Sequence, residues 1–393
     1  MYFVISFGVL LAFVLVIFTA IKWWNMELVG KDPVPLLVFC AILFTSGLDV
    51  GLIMFPLAFD FPLYADIDTT PAYAFTNPLA IEFGYWGFLI WAFYFLTGFY
   101  FCVIEPRVKF FEIPWVKIVN NIVIIATCAF TGSLFLIYLP YYIPGIGDGE
   151  TVVPAFYALT FLVILAAAYS STDIKFVKRL SVASTVLFFG LIILAWTMAG
   201  MGLGDFGNSV ANLQGYFRNL HRFVLPMSDY HQFFLFWWFA WSIMIGQFTS
   251  RFVGGLKTWQ FLAALLVIPS IPLALWFGVL YHYYTAGIST TGLMNWAMVV
   301  VGVIFVVNSF DSLIRLYTDN LGMTTEKLGK GRYLALNVIL LSILTLLFES
   351  QWLQIEWIGT VVIALYVFCL SLIVSRHRKE VMGIRTMPEG QSL

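Results

Sequence analysis

Charge is what this chain has least of. Asp, Glu, Lys and Arg together make up 10% of its 393 residues, the formal net charge is −1, and 61% of the residues are hydrophobic. Such a chain offers no basic stripe for nucleic acid and too little polar surface to solvate a soluble domain. Cysteine is also scarce. Cys40, Cys102, Cys128 and Cys369 stand singly inside apolar runs, without the spacing of a disulfide framework or a metal site, and read as small packing residues. No P-loop, HExxH or nucleophile–base arrangement is visible. That argues against ATP-driven work by this chain alone, and for a protein that is not an enzyme and uses no organic cofactor.

What the chain does have is repeated apolar stretches of about 20 residues, the length that crosses a bilayer as a helix. Eleven runs fall near residues 2–22, 34–59, 80–104, 117–142, 153–171, 180–203, 229–249, 258–281, 291–317, 333–348 and 353–375. They are too long and too uniformly apolar for barrel strands. The expected fold is an all-α multi-pass membrane protein of about 11 transmembrane helices. The first run has no basic start and no small-residue cleavage site before Lys22, so it reads as a retained helix and not a signal peptide.

Eighteen of the twenty lysines and arginines fall in alternate loops and the tail. This places the N-terminus outside and the C-terminus in the cytoplasm of a plasma membrane. The other two, Arg218 and Arg222, lie in the polar stretch 207–224, GNSVANLQGYFRNLHRFV. Leu213, Tyr216, Phe217, Leu220 and Phe223 recur there at helical spacing, predicting an amphipathic helix along the outer interface or against a neighbouring subunit.

With the first span set aside, spans two to six and seven to eleven form two blocks of five. Because five is odd, the blocks run in opposite senses through the bilayer, the layout of inverted-repeat transporters. The expected organisation is a peripheral N-terminal helix and loop at 1–33, a first repeat at 34–206 and a connecting interfacial helix at 207–228. A second repeat at 229–375 and a cytoplasmic tail at 376–393 complete it.

Four constellations interrupt the apolar background. Span two contains LFTSGLDVGLIMFP, with Gly47 and Gly51 flanking Asp49. The glycines suit a GxxxG packing face or a helix that unwinds to offer backbone to a ligand. An acid at mid-depth should face a cavity, a partner or an ion path. In span three, EFGYWGFLIWAFYFLTG, a continuous helix would set Trp86, Tyr94 and Trp91 at about 0°, 80° and 140° around its axis. Glu82 at its mouth reads as a solvated or interfacial acid. Span seven reads FFLFWWFAWSIMIG, with Trp237, Trp238 and Trp241 near its middle. Indoles this deep suit core packing or an aromatic cage for an alkylated cation, where desolvated cation–π contacts are worth about 2 kcal/mol or more. Span nine carries VGVIFVVNSFDSLIRLY. There Asp311 and Arg315 are expected to pair at i, i+4, and Asn308 and Ser309 offer oxygens to a small hard cation. His231 and His282 are expected at the interface.

These motifs resemble the betaine–choline–carnitine transporter (BCCT) family. W-W-F-A-W-S at Trp237 to Ser242, Trp86, Trp91 and Tyr94 at spacings of five and three, G-L-D-V-G at Gly47, and N-S-F-D-S at Asn308 occur in the family's order across residues 34–375. The resemblance implies a LeuT-like 5+5 inverted-repeat core preceded by one extra helix, and often a homotrimer. It implies an aromatic box around trimethylammonium from Trp86, Trp91, Tyr94 and Trp238, with Trp237 and Trp241 lining the path or site and Gly47, Asp49 and Gly51 beside it. A sodium site would use Thr45, Leu48, Phe305, Asn308 and Ser309. The chain departs from the family in lacking one of twelve spans, long tails and an arginine cluster after Arg251, in Asp49 for a glycine, and in Asn308 for a threonine. An acid at 49 favours choline over carboxylate-bearing betaine or carnitine, or makes a proton the coupling ion. The expected partners are thus a quaternary-ammonium substrate and membrane lipid. The competing readings are sodium-coupled carriage of a zwitterion or sulfonium analogue, and an ammonium receptor or channel without coupled flux.

Overall fold

In lipid, backbone N–H and C=O groups have no water to bond, so apolar runs fold as helices that satisfy them internally. The computed structural model describes residues 1–47 and 50–385. The membrane-type helices are α1 (Tyr2–Lys22), α2 (Leu36–Gly47), α3 (Gly51–Ala65), α4 (Pro78–Trp86), α5 (Trp91–Phe99), α6 (Pro114–Tyr142) and α7 (Pro154–Ser170). They continue as α8 (Ile174–Met198), α9 (Asp229–Thr249), α10 (Thr258–Val267), α11 (Ser270–Ala286), α12 (Leu293–Leu321), α13 (Lys330–Glu349) and α14 (Ile355–Leu372). Among the described residues nine helical stretches are long and apolar enough to cross a membrane, and two shorter apolar helices are Gly51–Ala65 and Pro154–Ser170. The chain is an all-α multi-pass membrane protein.

Every expected run is occupied by helix, and among the described residues two are interrupted; Leu48 and Asp49, between α2 and α3, lie outside the described residues. The run 80–104 stops at Trp86, turns through extended Gly87 and a 3-10 turn at Phe88–Ile90, and restarts at Trp91. The run 258–281 breaks before Ser270, where Pro269 lacks an N–H and disfavours helix at Ile268. A single-turn π segment at Pro56–Asp60 follows from the same chemistry of proline within a helix. The break at 87 means that the angular placement of Trp86, Trp91 and Tyr94 on one continuous helix does not hold.

The stretch 207–224 is likewise not one amphipathic helix. It divides into helices Leu203–Ala211 and Gln214–Arg218 and a 3-10 turn Leu220–Phe223. Leu213, Tyr216 and Phe223 are buried, because they fold over α4. Phe223 lies where a side chain on Gly84 would sit, within 2.2 Å of its notional Cβ.

α1 buries Ile5, Val9 and Ala12 and leaves Phe3, Val14 and Ile21 exposed. One stripe therefore packs on α5, α9 and α14, and the other suits lipid. After α1, β1 (Glu27–Val29) pairs antiparallel with β2 (Gly254–Lys257), tying the loop before α2 to the loop after α9.

Candidate functional site

The start of α3 and the break between α4 and α5 converge on α9. Ring centroids of Trp86 and Trp237 are 5.3 Å apart, those of Trp86 and Trp238 are 5.0 Å apart, and both pairs meet edge to face. Trp237 and Trp238 stack at 5.1 Å. Phe55 of α3 and Phe234 of α9 complete the cluster around Trp86 and Trp237. Gly51 lies at its centre. A Cβ there would stand 3.0 Å from the Trp86 ring and 3.1 Å from that of Trp237, so the indoles approach the backbone only because glycine leaves room.

The indole N–H groups explain why these residues sit deep. A broken helix frees carbonyls that lipid cannot satisfy. Trp238 Nε1 donates to the Tyr85 carbonyl at 2.8 Å, and Trp91 Nε1 donates to the Trp86 carbonyl at 3.2 Å. On the other side of the break, the Phe88 N–H donates to Ser270 Oγ and the Leu89 N–H to the Tyr216 hydroxyl. The first turn of α3 follows the same rule, with Trp276 Nε1 donating to the Leu52 carbonyl and the Tyr142 hydroxyl to that of Met54. The N–H groups of Trp86, Trp237 and Trp241 are buried without a hydrogen-bond partner, leaving three donors in an otherwise apolar volume.

Not every expected site residue joins this cluster. Trp91 and Tyr94 form their own edge-to-face pair at 5.1 Å, linked to the cluster through the Trp91–Trp86 hydrogen bond. Trp241 is buried further along α9. Gly47 ends α2, while Leu48 and Asp49 lie outside the described residues. In the expected ion site, Phe305, Asn308 and Ser309 are buried on α12. Phe305 meets Phe44 of α2 and Phe188 of α8, Ser181 donates to Asn308 Oδ1 at 3.0 Å, and Ser309 Oγ has no partner. Thr45 lies in α2, next in sequence to Phe44.

Three expectations are corrected. Asp311 does not pair with Arg315. It is buried and accepts hydrogen bonds from Ser170 and Ser312, whereas Arg315 reaches the half-exposed Asp319 at 3.7 Å. The long arginine stem carries its charge to the wetter end of the helix. His231 is buried, not interfacial; its ring stacks on Tyr85 at 4.6 Å and accepts from the Met227 N–H. Glu82 is fully buried, not solvated, because the segment 203–223 covers the end of α4. Sequence periodicity gives no sign of that cover, since it comes from residues more than a hundred positions away.

The fold and the site define a helical membrane bundle in which an interrupted helix meets buried tryptophans. No protein-family profile matches the chain. It is similar to the glycine betaine transporter OpuD of Bacillus subtilis, 24% identical over 292 residues, covering 63% of this chain and 55% of that protein. It is also similar to the high-affinity choline transport protein of Escherichia coli strain K12, 28% identical over 174 residues, covering 41% of this chain and 25% of that protein. An uncharacterized transporter of Mycobacterium tuberculosis is 33% identical over 79 residues, 18% of this chain and 13% of that protein. The chain thus spans about half the length of the first of these relatives. The betaine and choline transporters to which the chain is similar belong to the BCCT family that the four motifs resemble.

Proposed function

We propose that the protein is a secondary active transporter that carries a quaternary-ammonium compound, choline or betaine-type, across the plasma membrane by ion-coupled alternating access. The reading rests above all on the convergence of Trp86, Trp237 and Trp238 on Gly51, where α3, α4 and α9 meet. An alkylated ammonium accepts no hydrogen bond and is held by ring faces. In the closed cluster those faces contact one another, and substrate would part them, with Trp91 and Tyr94 lining the adjoining path.

A 5+5 inverted repeat finds support in the helix contacts. Exchanging each span of the first block with its counterpart in the second maps α6 on α13 to α12 on α7, α2 on α8 to α9 on α14, and α8 on α12 to α14 on α6. The N-terminus is assigned outside and the C-terminus to the cytoplasm, on the distribution of Lys and Arg. The coupling ion in this reading is sodium, at Thr45, Leu48, Phe305, Asn308 and Ser309, or a proton.

Counterflow in proteoliposomes tests the reading. Labelled choline or glycine betaine should exchange against unlabelled internal substrate well beyond one ligand per protein; uptake that saturates at stoichiometry would show a receptor. Trp238→Leu should weaken binding, read by tryptophan fluorescence, by about 30-fold, the factor that corresponds to about 2 kcal/mol of cation–π contact. Trp259→Leu, in a residue stacked on Trp24 beside the β1–β2 ribbon, should leave affinity unchanged.

A further inference from the structure

Beside the aromatic cluster lies a second group of buried polar atoms. Asp60, on the π turn of α3, and Glu82, one turn before Trp86 on α4, are both fully buried. The turn that carries Asp60 and the residues after it pack on α4, which brings the two carboxyls into the same buried volume. Asp60 Oδ1 accepts a 2.6 Å hydrogen bond from the Tyr230 hydroxyl of α9. Asp60 Oδ2 and both Glu82 oxygens have no hydrogen-bonded donor, and the Tyr64 hydroxyl and Trp86 Nε1, next to the Glu82 carboxyl, are likewise unpartnered.

Two carboxylates in one buried volume are both acceptors and both negative, so together they repel and leave oxygens unsatisfied; one proton between them corrects both defects. We propose that Asp60 and Glu82 form a proton-binding site in which one proton is shared, and that this proton is the coupling ion for movement of the ammonium through the neighbouring tryptophans. The proposal rests on the transporter reading above and deepens it.

The remaining groups facing the pair suit this role. They are Tyr64 of α3, Tyr85 of α4, Tyr138 and Tyr142 of α6 and Tyr230 of α9, with Tyr73 behind Tyr85; α11, which also packs on the turn and on α4, brings Tyr281 and Tyr284 against Phe61. His231 reaches them only through its stack on Tyr85. No cation is among these groups, so a proton is what neutralises one of the two acids. The singly protonated pair keeps one negative charge near the Trp86 ring. Loading the site makes one carboxyl O–H bond as one O–H bond of hydronium breaks, and release returns the proton to water on the opposite side.

The connection to substrate is mechanical. Gly51 and Phe55 of α3, Trp86 of α4 and Trp237 of α9 form the aromatic cluster, and the same three elements supply Asp60, Glu82 and Tyr230. Parting the rings moves α9 relative to α3 and α4, which stretches the Tyr230–Asp60 hydrogen bond and changes the affinity for the proton.

The test uses the full chain in proteoliposomes with choline and the entrapped pH dye pyranine. With an imposed gradient, alkaline inside, wild type should accumulate choline above its external concentration and carry protons with it. Glu82→Gln and Asp60→Asn should each abolish gradient-driven accumulation while keeping choline counterflow. Accumulation by both variants equal to wild type, or driven in wild type by a sodium gradient alone, would overturn the proton site. Absence of counterflow in wild type would instead remove the transporter reading. The proton site would then stand or fall on infrared spectra without substrate, where wild type should show a protonated-carboxyl band at neutral pH that both variants lose. A band unchanged in both would refute it.

Discussion

Trp237 and Trp238 allow the cost of one buried hydrogen bond to be isolated within a membrane. They are adjacent, stacked, 0% and 1% exposed, and both meet the rings of Trp86 and Phe234. They differ in that Trp238 Nε1 satisfies the carbonyl of Tyr85 at the helix break, while Trp237 Nε1 is unpartnered. Phenylalanine at either position keeps an aromatic face and loses comparable ring area, so the packing penalties largely cancel in the comparison. Trp238→Phe leaves a buried carbonyl without its donor, which costs about 1–3 kcal/mol, or about 5- to 150-fold in the unfolding equilibrium. Trp237→Phe removes a donor that has no acceptor and escapes that cost. Unfolding in detergent can be followed by a thiol-reactive dye at Cys102 and Cys128, which are buried in the folded chain. Trp238→Phe should unfold at clearly lower denaturant or temperature than Trp237→Phe. Equal midpoints, or a lower one for Trp237→Phe, would refute the argument that indoles cap the broken helix.

Three further outcomes follow from neighbouring geometry. Gly51→Ala sets a Cβ 3.0 Å from the Trp86 ring and 3.1 Å from that of Trp237; it should cost about 1–3 kcal/mol through overpacking and lower choline affinity in the fluorescence titration. Tyr142→Phe removes the 2.7 Å hydrogen bond to the Met54 carbonyl beside the π turn and should destabilise the chain by about 1–3 kcal/mol in the same dye assay, whereas an unchanged midpoint would show that the carbonyl finds another donor. In the loop 143–153, the Thr151 hydroxyl and the Thr151 and Glu150 N–H groups hold the Asp148 carboxyl down to about 2. A depressed carboxyl stabilises the folded loop above its unfolded value of about 4, and that contribution disappears as pH falls through the folded one. Pepsin cleavage in this loop should rise between about pH 4 and 2 in wild type and stay high and flat in Asp148→Ala.

The helical runs were legible because apolar length is a local property of the sequence; each expected span is occupied by helix. The interruptions were only partly legible. Pro269 and Pro56 announce the break in 258–286 and the π turn in 56–60, and Gly87 was one glycine among 30. What fixes the break at 87 is tertiary: the side chains of Ser270, Tyr216, Trp91 and Trp238 supply the bonds that the helix gives up. The burial of Glu82 and His231 was illegible for the same reason. An acid four residues before a tryptophan reads as interfacial until Phe223 and its neighbours are placed over it.

This dependence also explains why aromatic residues and helix breaks coincide here. A break inside the bilayer exposes carbonyls, and each needs a donor that does not itself cost much to bury. Lysine and arginine carry charge, and serine and threonine reach a neighbouring backbone only where the helices pack closely, as Thr97 does to the Ser242 carbonyl. Trp and Tyr supply one N–H or O–H at the end of a large apolar body. The side chains that make an interrupted helix tolerable are therefore those whose faces attract an ammonium. Substrate entry that turns an indole toward a cation must loosen the bond that same indole makes to the broken backbone. In the transporter reading proposed above, Trp238, which both stacks in the cluster and holds the Tyr85 carbonyl, is the residue at which binding and helix movement cannot be separated.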